Sequence, residues 1–270
     1  MTEDLITSSA NPLVKQLRRL RQRKYRAADG LFLVEGIQQV WRAVENDAPI
    51  QTLIVAPELL ASEAARAMVE ERRAAGLRVA YVTRAIFEET TEREHPAGLA
   101  AVVGIKERSL ADLTVGETSF FVALEEVGNP GNLGSIIRSV DATQGSGVIL
   151  VGPATDPWHP VAVKASVGTL FTVPVCRASG IDELATWCKG NSVALVATSA
   201  HADIVFWEHD YKLPSVFLFG SEARGLDPET LRRCAASLRI PMAGSATSLN
   251  LAVSVGVLLY ELRRHHPLTR

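Results

Sequence analysis

The stretch IPMAGSATSLNLAVSVGVLLYE, residues 240–261, indicates the fold more strongly than any other part of the chain. It passes from a strand end closed by Pro241, through a loop of small residues, into an apolar helix that starts near Ser248. Ser248 and Asn250 place short polar side chains at a helix end rich in free backbone N–H groups. The residues that recur at helical spacing and are predicted to be buried are Leu251, Val255, Leu258, Leu259 and Leu262. Polar groups at the mouth of a packed helix are typical both of a binding site and of an ordinary N-cap.

Length and composition favour a globular protein with one or two domains. The chain has 270 residues, of which 47% are hydrophobic and 21% charged, as in ordinary soluble proteins. The absence of an apolar run of about 18 residues predicts no membrane span, and the opening MTEDLITSSANP lacks the order of a signal peptide. Three widely spaced cysteines fit a reducing compartment. These features predict a cytoplasmic protein with no disulfide framework and no metal site.

Strands and helices alternate in the first hundred residues. Short strands are predicted at 31–36, 51–56, 77–82 and 98–105, with helices at 37–46, 57–75 and 85–89 between them. Pro57 is expected to open the second of these helices and Gly76 to end it. The alternation predicts a small α/β domain over residues 1–105. The polar segment 106–117 shows no strong periodicity and is the candidate linker.

A second α/β series occupies residues 118–270. It begins with the strand SFFVALEEV at 119–127, and helices are predicted at 133–143, 158–170, 181–189 and 227–234. Further strands are predicted at 147–152, 172–177, 192–199 and 215–220. The last two are near-continuous apolar runs, which are typical of parallel strands covered on both faces. The series predicts a parallel sheet flanked by helices.

Three polar loops follow strands of this second series. The first, NPGNLGSIIRS at 129–139, contains Asn132 as a candidate cap, and Arg138 follows it six residues later in the helix. The second, FGSEARGL at 219–226, sets Glu222 in a turn framed by Gly220 and Gly225. The third is the opening stretch. Ligands of open parallel sheets bind beyond the carboxyl ends of the strands, where all three loops must lie, although each loop alone is also an ordinary turn.

Several other kinds of site are disfavoured by spacing. The first loop reads G-x-x-G-x-x-G rather than G-x-G-x-x-G, and no acidic residue ends the following strand, which argues against a Rossmann dinucleotide or methyltransferase site. Cys176 and Cys188 have no histidine nearby in sequence, so a thiol nucleophile is not predicted. Four histidines are spaced with neither carboxylates nor cysteines and are interpreted as surface residues: His201, His209, His265 and His266.

The ordered set NPGNLGSIIRS, FGSEARGL and IPMAGSATSLNLAVSVGVLLYE resembles the three signature motifs of the SpoU–TrmH branch of the SPOUT RNA methyltransferases. The likeness covers residues 119–264, including VKASVGTLFTVPV at 163–175. With NPLVKQLRRL and LFLVEG, the first hundred residues resemble the small α/β substrate-binding domain (L30e/L7Ae-like) that is often attached to the ribosomal RNA members. The resemblance implies a C-terminal domain with a trefoil knot in its parallel sheet, and a homodimer formed through that domain.

The resemblance also implies a reaction, in which a methyl group passes from S-adenosylmethionine to a ribose 2′-hydroxyl of RNA. Matched by motif position, the implied cofactor contacts are Thr198, Gly220, Ile240, Met242 and Leu249. The implied catalytic residues are Asn132, Arg138, Glu222, Ser248 and Asn250. The reaction must align a weak nucleophile with the methyl group and assist loss of its proton.

The implied roles of the polar residues follow from their chemistry. A guanidinium stays protonated at neutral pH, so we expect Arg138 to clamp the phosphate beside the target ribose rather than to act as general base. The proton acceptor is then that phosphate or water. Asn132, Ser248 and Asn250 are expected to orient the ribose and the first loop, and Glu222 to hold its own loop and Arg138.

A basic segment, NPLVKQLRRLRQRKYR at 11–26, precedes the first strand. Asn11 is a candidate N-cap and Pro12 suits the first helical turn. Its seven cationic residues, with no acidic residue among them, are Lys15, Arg18, Arg19, Arg21, Arg23, Lys24 and Arg26. The alternatives are a solvated basic face and a contact with the phosphate backbone of RNA.

Taken together, these patterns predict an RNA-binding domain at 1–105, a linker at 106–117 and a methyltransferase domain at 118–270. The preferred substrate is 23S ribosomal RNA. Transfer RNA is the alternative, and an antibiotic-resistance methylase is a narrower variant of the preferred reading. An alternative from a different functional class is a non-catalytic RNA-binding or ribosome-assembly factor. Because RNA is recognised through loop shape and splayed bases, the sequence does not predict the target nucleotide.

Overall fold

The computed structural model describes residues 5–91 and 95–268. The chain forms two compact units. The first comprises Met1–Lys106 together with Trp158–Phe171, and the second comprises Glu107–Pro157 and Thr172–Arg270. The segment predicted as a linker contributes to the second unit, where Leu110 is buried in the apolar core.

The first unit contains a four-stranded mixed sheet. Its strands are β1 (Leu31–Glu35), β2 (Ile50–Val55), β3 (Val79–Tyr81) and β4 (Leu99–Gly104), in the order β1-β4-β2-β3. Strand β4 runs antiparallel to both of its neighbours, whereas β2 and β3 are parallel. The helices of this unit are α1 (Pro12–Arg19), α2 (Arg23–Asp29), α3 (Ile37–Glu45), α4 (Glu63–Ala74) and α5 (Arg84–Thr90). The predicted alternation of strands and helices is confirmed.

Helix α4 begins later than the sequence pattern predicts. Pro57 lies in a turn whose backbone bonds return to Ala56, and the helix starts only after Ser62. The Ser62 hydroxyl accepts a hydrogen bond from the Ala65 N–H at 3.2 Å. A side-chain cap of this kind sets a helix start more strongly than a proline several residues upstream. The predicted end is confirmed, since Gly76 follows with a φ of +93°.

The basic segment forms two short helices, α1 and α2, rather than one. The predicted cap is confirmed, because Asn11 Oδ1 accepts from the Leu13 N–H at 2.9 Å. The apolar side of α1 is buried, with Leu17 and Leu20 in the core of this unit. The cationic side chains are therefore directed away from that core, except where a specific contact holds them.

A segment from later in the chain, Trp158–Phe171, belongs to the first unit. It contains α7 (Pro160–Ser166), which is shorter than the predicted helix because Val167 and Gly168 both have positive φ. A Cβ on Gly168 would lie 2.8 Å from Arg42 Cβ, so only glycine allows this close approach. Phe171 stacks on Phe32 with ring centroids 6.3 Å apart.

The second unit contains a seven-stranded parallel sheet, which confirms the predicted fold class. Its strands are β5 (Phe120–Glu125), β6 (Gly147–Val151), β7 (Val175–Ala178), β8 (Ala194–Thr198), β9 (Ile204–Val205), β10 (Ser215–Phe219) and β11 (Ala236–Arg239). The order is β7-β6-β5-β10-β8-β11-β9. The strand end expected just before Pro241 is the end of β11, whereas the two-residue strand β9 was not predicted because it is too short to show a period.

Four helices flank this sheet: α6 (Pro130–Ala142), α8 (Ile181–Gly190), α9 (Pro228–Arg232) and α10 (Leu251–His265). Helix α6 starts three residues before its predicted start because Asn129 caps it. All five residues predicted to form the buried face of α10 are buried. The far end of α10 is held by Arg263, which donates to the Thr143 carbonyl at 2.7 Å and lies over the Phe120 ring. Among the described residues, no helix is long and apolar enough to cross a membrane.

Candidate active site

The parallel sheet brings the three polar loops to one edge. The strands β5, β10 and β11 all end there, and the loops follow directly. A cavity of about 600 Å³ lies over the ends of β8, β10 and β11. All five predicted cofactor contacts line it: Thr198, Gly220, Ile240, Met242 and Leu249. Residues as far apart in sequence as Thr198 and Leu249 thus share one cavity, and their role as cofactor contacts stays a prediction.

One wall of the cavity is a tight turn at 220–225. The Gly225 N–H donates to the Ser221 carbonyl at 2.9 Å, and Gly225 has a φ of +66°. A Cβ on Gly220 would lie 2.2 Å from the carbonyl carbon of Gly225. Two backbone segments therefore pass so close that no side chain fits between them. Such a cradle of exposed backbone suits a ligand that is held by main-chain groups.

Three side chains, one from each loop, form a continuous hydrogen-bonded chain at this edge. Asn132 Nδ2 donates to Glu222 Oε1 at 2.8 Å, and Asn250 Nδ2 donates to Asn132 Oδ1 at 2.9 Å. These three residues lie 90 and 118 positions apart in sequence. Glu222 and Asn250 also line the cavity, whereas Asn132 is not among the described lining residues and hydrogen-bonds to both of them. We call this set the loop junction.

Helix caps orient the amides of the loop junction. Asn250 is the N-cap of α10, and its Oδ1 accepts from the Ala252 N–H at 2.9 Å. The Nδ2 of Asn250 must therefore face Asn132. The Nδ2 of Asn132 then faces the Glu222 carboxylate, which accepts hydrogen bonds when it is ionised. Asn129 caps α6 by accepting from the Gly131 N–H at 2.8 Å, which positions the first turn that carries Asn132. Donors and acceptors alternate without conflict along the whole chain.

The loop between β11 and α10 is open to solvent. Every residue from 241 to 250 is exposed, including the apolar side chains of Met242 and Leu249 at 37% each. Ser248 lines the cavity within this loop. Apolar groups exposed on the wall of a cavity are typical of a site that a ligand or a partner covers.

Arg138 lies apart from the cavity. It is exposed on α6 and is not among the described residues that line the cavity. Six residues of α-helix separate it from Asn132 by about 9 Å along the axis and roughly 120° around it. The expectation that Arg138 shares a ligand with the loop junction therefore stays a prediction, and any ligand that reaches both must extend beyond the cavity.

Two residues near the site were not singled out by the sequence analysis. Arg224 lines the cavity and pairs with Glu126 across 2.7 Å, which ties the second loop to the end of β5. His201, interpreted as a surface residue, is exposed but also lines the cavity. Arg224 could have been identified from the sequence by its position inside the motif FGSEARGL. No pattern marked His201, because the turn after β8 is brought to the cavity only by the sheet.

Glu125, the last residue of β5, is partly buried. Burial raises the pKa of its carboxyl group, and the nearby charge of Asp227 raises it further. The Thr230 hydroxyl donates to Glu125 Oε1 at 3.3 Å, which opposes the shift.

The cysteine side chains of the described residues are poor nucleophiles. Burial raises the pKa of Cys176 and of Cys188 to about 12 and that of Cys234 to about 11, so these thiols stay protonated at neutral pH. No group of three or more histidine, cysteine or acidic side chains with a metal-binding arrangement occurs among residues 5–91 and 95–268.

The cationic side chains of the basic segment differ in their surroundings: some bond to other parts of the first unit, and others are exposed to solvent. Arg26 is buried, and its Nη1 donates to the carbonyls of Leu20 and Arg21 at the end of α1. Arg18 pairs with Glu89, and Arg21 donates to the carbonyls of Glu89 and Thr91. The exposed members, which we call the basic surface, are Lys15, Arg19, Arg23 and Lys24. Arg26 is thus a poor candidate for RNA contact, because its guanidinium stabilises a helix end.

Comparison with known proteins decides the family. The model of the SpoU rRNA Methylase family matches residues 119–260, which is more than half of the chain. The chain belongs to the SpoU rRNA methylase family. The model of the MRM3-like substrate binding domain matches residues 11–101 of this SpoU protein.

Relatives of this SpoU chain match it along nearly its whole length. It is 34% identical over 250 residues to the 23S rRNA (uridine(2479)-2′-O)-methyltransferase of Streptomyces viridochromogenes, covering 91% of this chain and 86% of the relative. It is 28% identical to the 23S rRNA (guanosine(2553)-2′-O)-methyltransferase RlmP of Bacillus subtilis, covering 96% and 98%. An AdoMet-bound rRNA methyltransferase from Sinorhizobium meliloti superposes with a TM-score of 0.90 at 36% identity, covering 98% of this chain and 99% of that one.

These findings confirm the resemblance read from the three motifs and the predicted enzyme class, an RNA methyltransferase of the SpoU family. They also confirm the fold class, a parallel methyltransferase sheet preceded by a smaller substrate-binding domain. The cavity at the ends of β8, β10 and β11 is accordingly the candidate active site.

Proposed function

We propose that this SpoU protein transfers a methyl group from S-adenosylmethionine to a ribose 2′-hydroxyl of 23S rRNA. The observation that carries the proposal is the loop junction, which holds all three motifs together at the rim of one cavity. The two relatives described above, which match both units of the chain, act on 23S rRNA. Because ribosomal RNA is made and assembled in the cytoplasm of bacteria, the proposal agrees with the predicted cytoplasmic location.

The residues of the cavity fit the proposed cofactor. Ile240, Met242 and Leu249 supply apolar walls, Thr198 supplies a hydroxyl, and the turn at Gly220 leaves backbone groups open to a ligand. A cavity of about 600 Å³ lies in the range of small-molecule sites. When bound there, S-adenosylmethionine supplies an electrophilic methyl group on its sulfonium centre.

The remaining roles fall to the polar residues of this chain. We assign Asn132, Ser248 and Asn250 to orientation of the ribose and of the loops, since Asn132 is already fixed by two hydrogen bonds. Glu222 holds Asn132 and so positions the first loop. Arg138, exposed on α6, clamps the phosphate beside the target ribose. The proton leaves to that phosphate or to water, because a guanidinium does not accept it at neutral pH.

The domain division and the knot form part of the same proposal. Residues 1–105 are assigned to RNA binding and 118–270 to the methyltransferase domain, in agreement with the family models at 11–101 and 119–260. The segment 106–117 connects them and packs from Glu107 onward with the second unit, while Trp158–Phe171 packs with the first. The trefoil knot is proposed from the likeness of the three loops to the family motifs, since the strand order by itself neither requires nor excludes a knot.

A homodimer is supported by an apolar stripe on α10. Val253, Val257 and Tyr260 follow one another at helical spacing, and Val253 and Tyr260 are 50% and 62% exposed. Large apolar side chains exposed on a helix that starts at the active site are typical of a protein interface. The dimer is expected to sediment as a single species of twice the chain mass, whereas a monomer would contradict it.

The function is tested by following the methyl group. Purified protein, isotope-labelled S-adenosylmethionine and ribosomal RNA from a strain that lacks the gene are expected to give one labelled ribose in 23S rRNA. Nuclease digestion and mass spectrometry locate the label and separate ribose from base methylation. Label on a base, or label in transfer RNA but not in 23S rRNA, would contradict the proposal. Protein that binds RNA without transferring a methyl group would favour the non-catalytic alternative.

The basic surface is expected to contact the RNA backbone. Changing Arg23 and Lys24 together to glutamine should weaken RNA binding and reduce the slope of log affinity against log salt by about two, because each lost phosphate contact removes about one released counterion. The matched control is the double change of Lys189 and Lys212, two exposed lysines of the second unit, to glutamine. Equal losses in both variants would assign the effect to net charge rather than to the basic surface.

A further inference from the structure

A second cavity, of about 340 Å³, lies in the first unit and shares no lining residue with the candidate active site. Its floor is apolar and is formed by Val55 at the end of β2, Leu60 in the following turn and Val69 on α4, all of them buried. Pro57 and Tyr81 form its sides. The family model that covers this region is named for substrate binding, and none of the residues that line the cavity was predicted to bind a ligand.

Two charged side chains lie at the rim of this cavity. Arg66 Nε donates to the Leu60 carbonyl at 2.6 Å, which fixes the plane of its guanidinium beside the floor. One turn further along α4, Glu70 Oε1 accepts from the Tyr81 hydroxyl at 3.0 Å, and Oε2 accepts from Arg73 Nε at 3.0 Å. The rim therefore offers a fixed donor and a fixed acceptor side by side.

The Glu70 carboxylate remains an acceptor under ordinary conditions. Hydrogen bonds from Arg73 and then from Tyr81 lower its pKa below the usual value. Each oxygen that already accepts a bond keeps a further lone pair for a ligand. A phosphate is disfavoured here, because it would meet a negative charge at the rim and an apolar floor beneath it.

We propose that this cavity binds one unpaired guanine of the RNA substrate. The inference rests on the proposed function, which supplies RNA as the substrate. Its size is at the lower end of small-molecule sites and suits a single base more than a whole nucleotide. Unpaired bases in RNA are read by stacking on aromatic rings or guanidinium planes and by hydrogen bonds to their edges. Tyr81 provides an aromatic ring for stacking, and Arg66 provides donors for a base edge.

The carboxylate selects the base. A carboxylate at the edge of a base pairs best with two adjacent N–H donors, and guanine presents such a pair at N1 and N2. Adenine and cytosine each place a ring acceptor beside their amino group, and uracil places carbonyl oxygens on both sides of its single N–H. Arg66 supplies donors for the O6 and N7 acceptors that guanine carries elsewhere. Glu70 is thus the residue that determines specificity.

The experiment measures binding of hairpin RNAs to the full chain. The hairpins share one stem and a uridine loop, and differ only in whether the central loop base is guanine, adenine, cytosine or uracil. The guanine hairpin is expected to bind tightest, by roughly 5- to 150-fold, the range of a good two-bond contact to a base. Glu70→Gln is expected to remove that preference by weakening the guanine hairpin alone.

The control is Glu71→Gln, which removes the same charge one residue along α4 and outside the lining of the cavity. Loss of a negative charge should strengthen binding of any RNA. Weaker binding of the guanine hairpin by Glu70→Gln therefore cannot result from the change in net charge and indicates loss of a specific contact. Cofactor binding and the melting temperature of both variants check that the fold is intact. Since Glu70 is exposed, both are expected to match the unsubstituted protein.

Three outcomes would overturn the inference. Equal affinity for the four hairpins, or a Glu70→Gln variant that behaves as Glu71→Gln does, would show that the cavity reads no base. Binding of free guanosine monophosphate that depends on Glu70, without any preference among the hairpins, would make the cavity a metabolite site. If the unsubstituted chain binds no hairpin and also methylates no RNA, the proposed function fails and the inference fails with it.

Discussion

Replacing Arg138 with alanine is expected to reduce methyl transfer by roughly 10²- to 10³-fold, the usual cost of losing one charged or hydrogen-bonding group that acts on the reacting centre. Binding of S-adenosylmethionine should be unchanged, because Arg138 is not among the described residues that line the cavity. Stability should change by no more than about 0.5 kcal/mol, since the side chain is exposed on α6. Single-turnover transfer and calorimetric titration of the cofactor measure the two effects separately.

Arg138→Lys distinguishes a clamp from a simple charge. Lysine keeps the positive charge but cannot make the paired, planar contact of a guanidinium with a phosphate. We expect it to restore only part of the transfer rate. Near-normal turnover in Arg138→Ala would remove this residue from the catalytic set, and weaker cofactor binding would place it in the cavity instead.

Replacing Gly220 with alanine is expected to abolish cofactor binding. The new Cβ would lie 2.2 Å from the Gly225 carbonyl carbon and 2.5 Å from its oxygen. Both are backbone atoms, so no side-chain rotation relieves the clash, and the turn that forms one wall of the cavity must move. The cost in the free energy of unfolding is expected to be about 1–3 kcal/mol, as for other overpacked sites.

Gly244→Ala is the matched control for this change. Gly244 lies in the exposed loop between β11 and α10, and a Cβ there would meet nothing within 4 Å. Its cofactor affinity and melting temperature should match those of the unsubstituted protein. Cofactor titration and thermal unfolding of both variants provide the test, and normal cofactor binding by Gly220→Ala would mean that the ligand does not use this turn.

The helix starts show where local sequence is enough and where it is not. Asn11 caps α1 as expected, because a cap needs only the N–H groups two or three residues ahead. The candidate cap Asn132 was wrong, since Asn129 caps α6. The predicted start of α4 was also wrong, since Pro57 and Ser62 both suit a helix start and only the local backbone path chooses between them. The end of β11 was expected, but its pairing with β8 and β9 is long-range and could not be predicted.

Arg26 illustrates a second limit. In the sequence it is one of seven equivalent cationic residues, and in the structure it is buried against the end of α1. Nothing in its spacing separates it from Arg23 or Lys24, because burial of a guanidinium depends on which carbonyls the fold brings within reach. The exposed members of the segment could therefore be identified only from the folded chain.

The sequence by itself determined the family, the parallel sheet, the buried face of α10 and the identity of the three loops, because these follow from short motifs and local periodicity. The tertiary structure alone decided that Asn132, Glu222 and Asn250 touch, that Arg138 is not among the described residues lining the first cavity, and that a second cavity is lined by Glu70 and Tyr81. Contacts between residues 90 or more positions apart depend on strand order, and strand order is set by packing of the whole sheet.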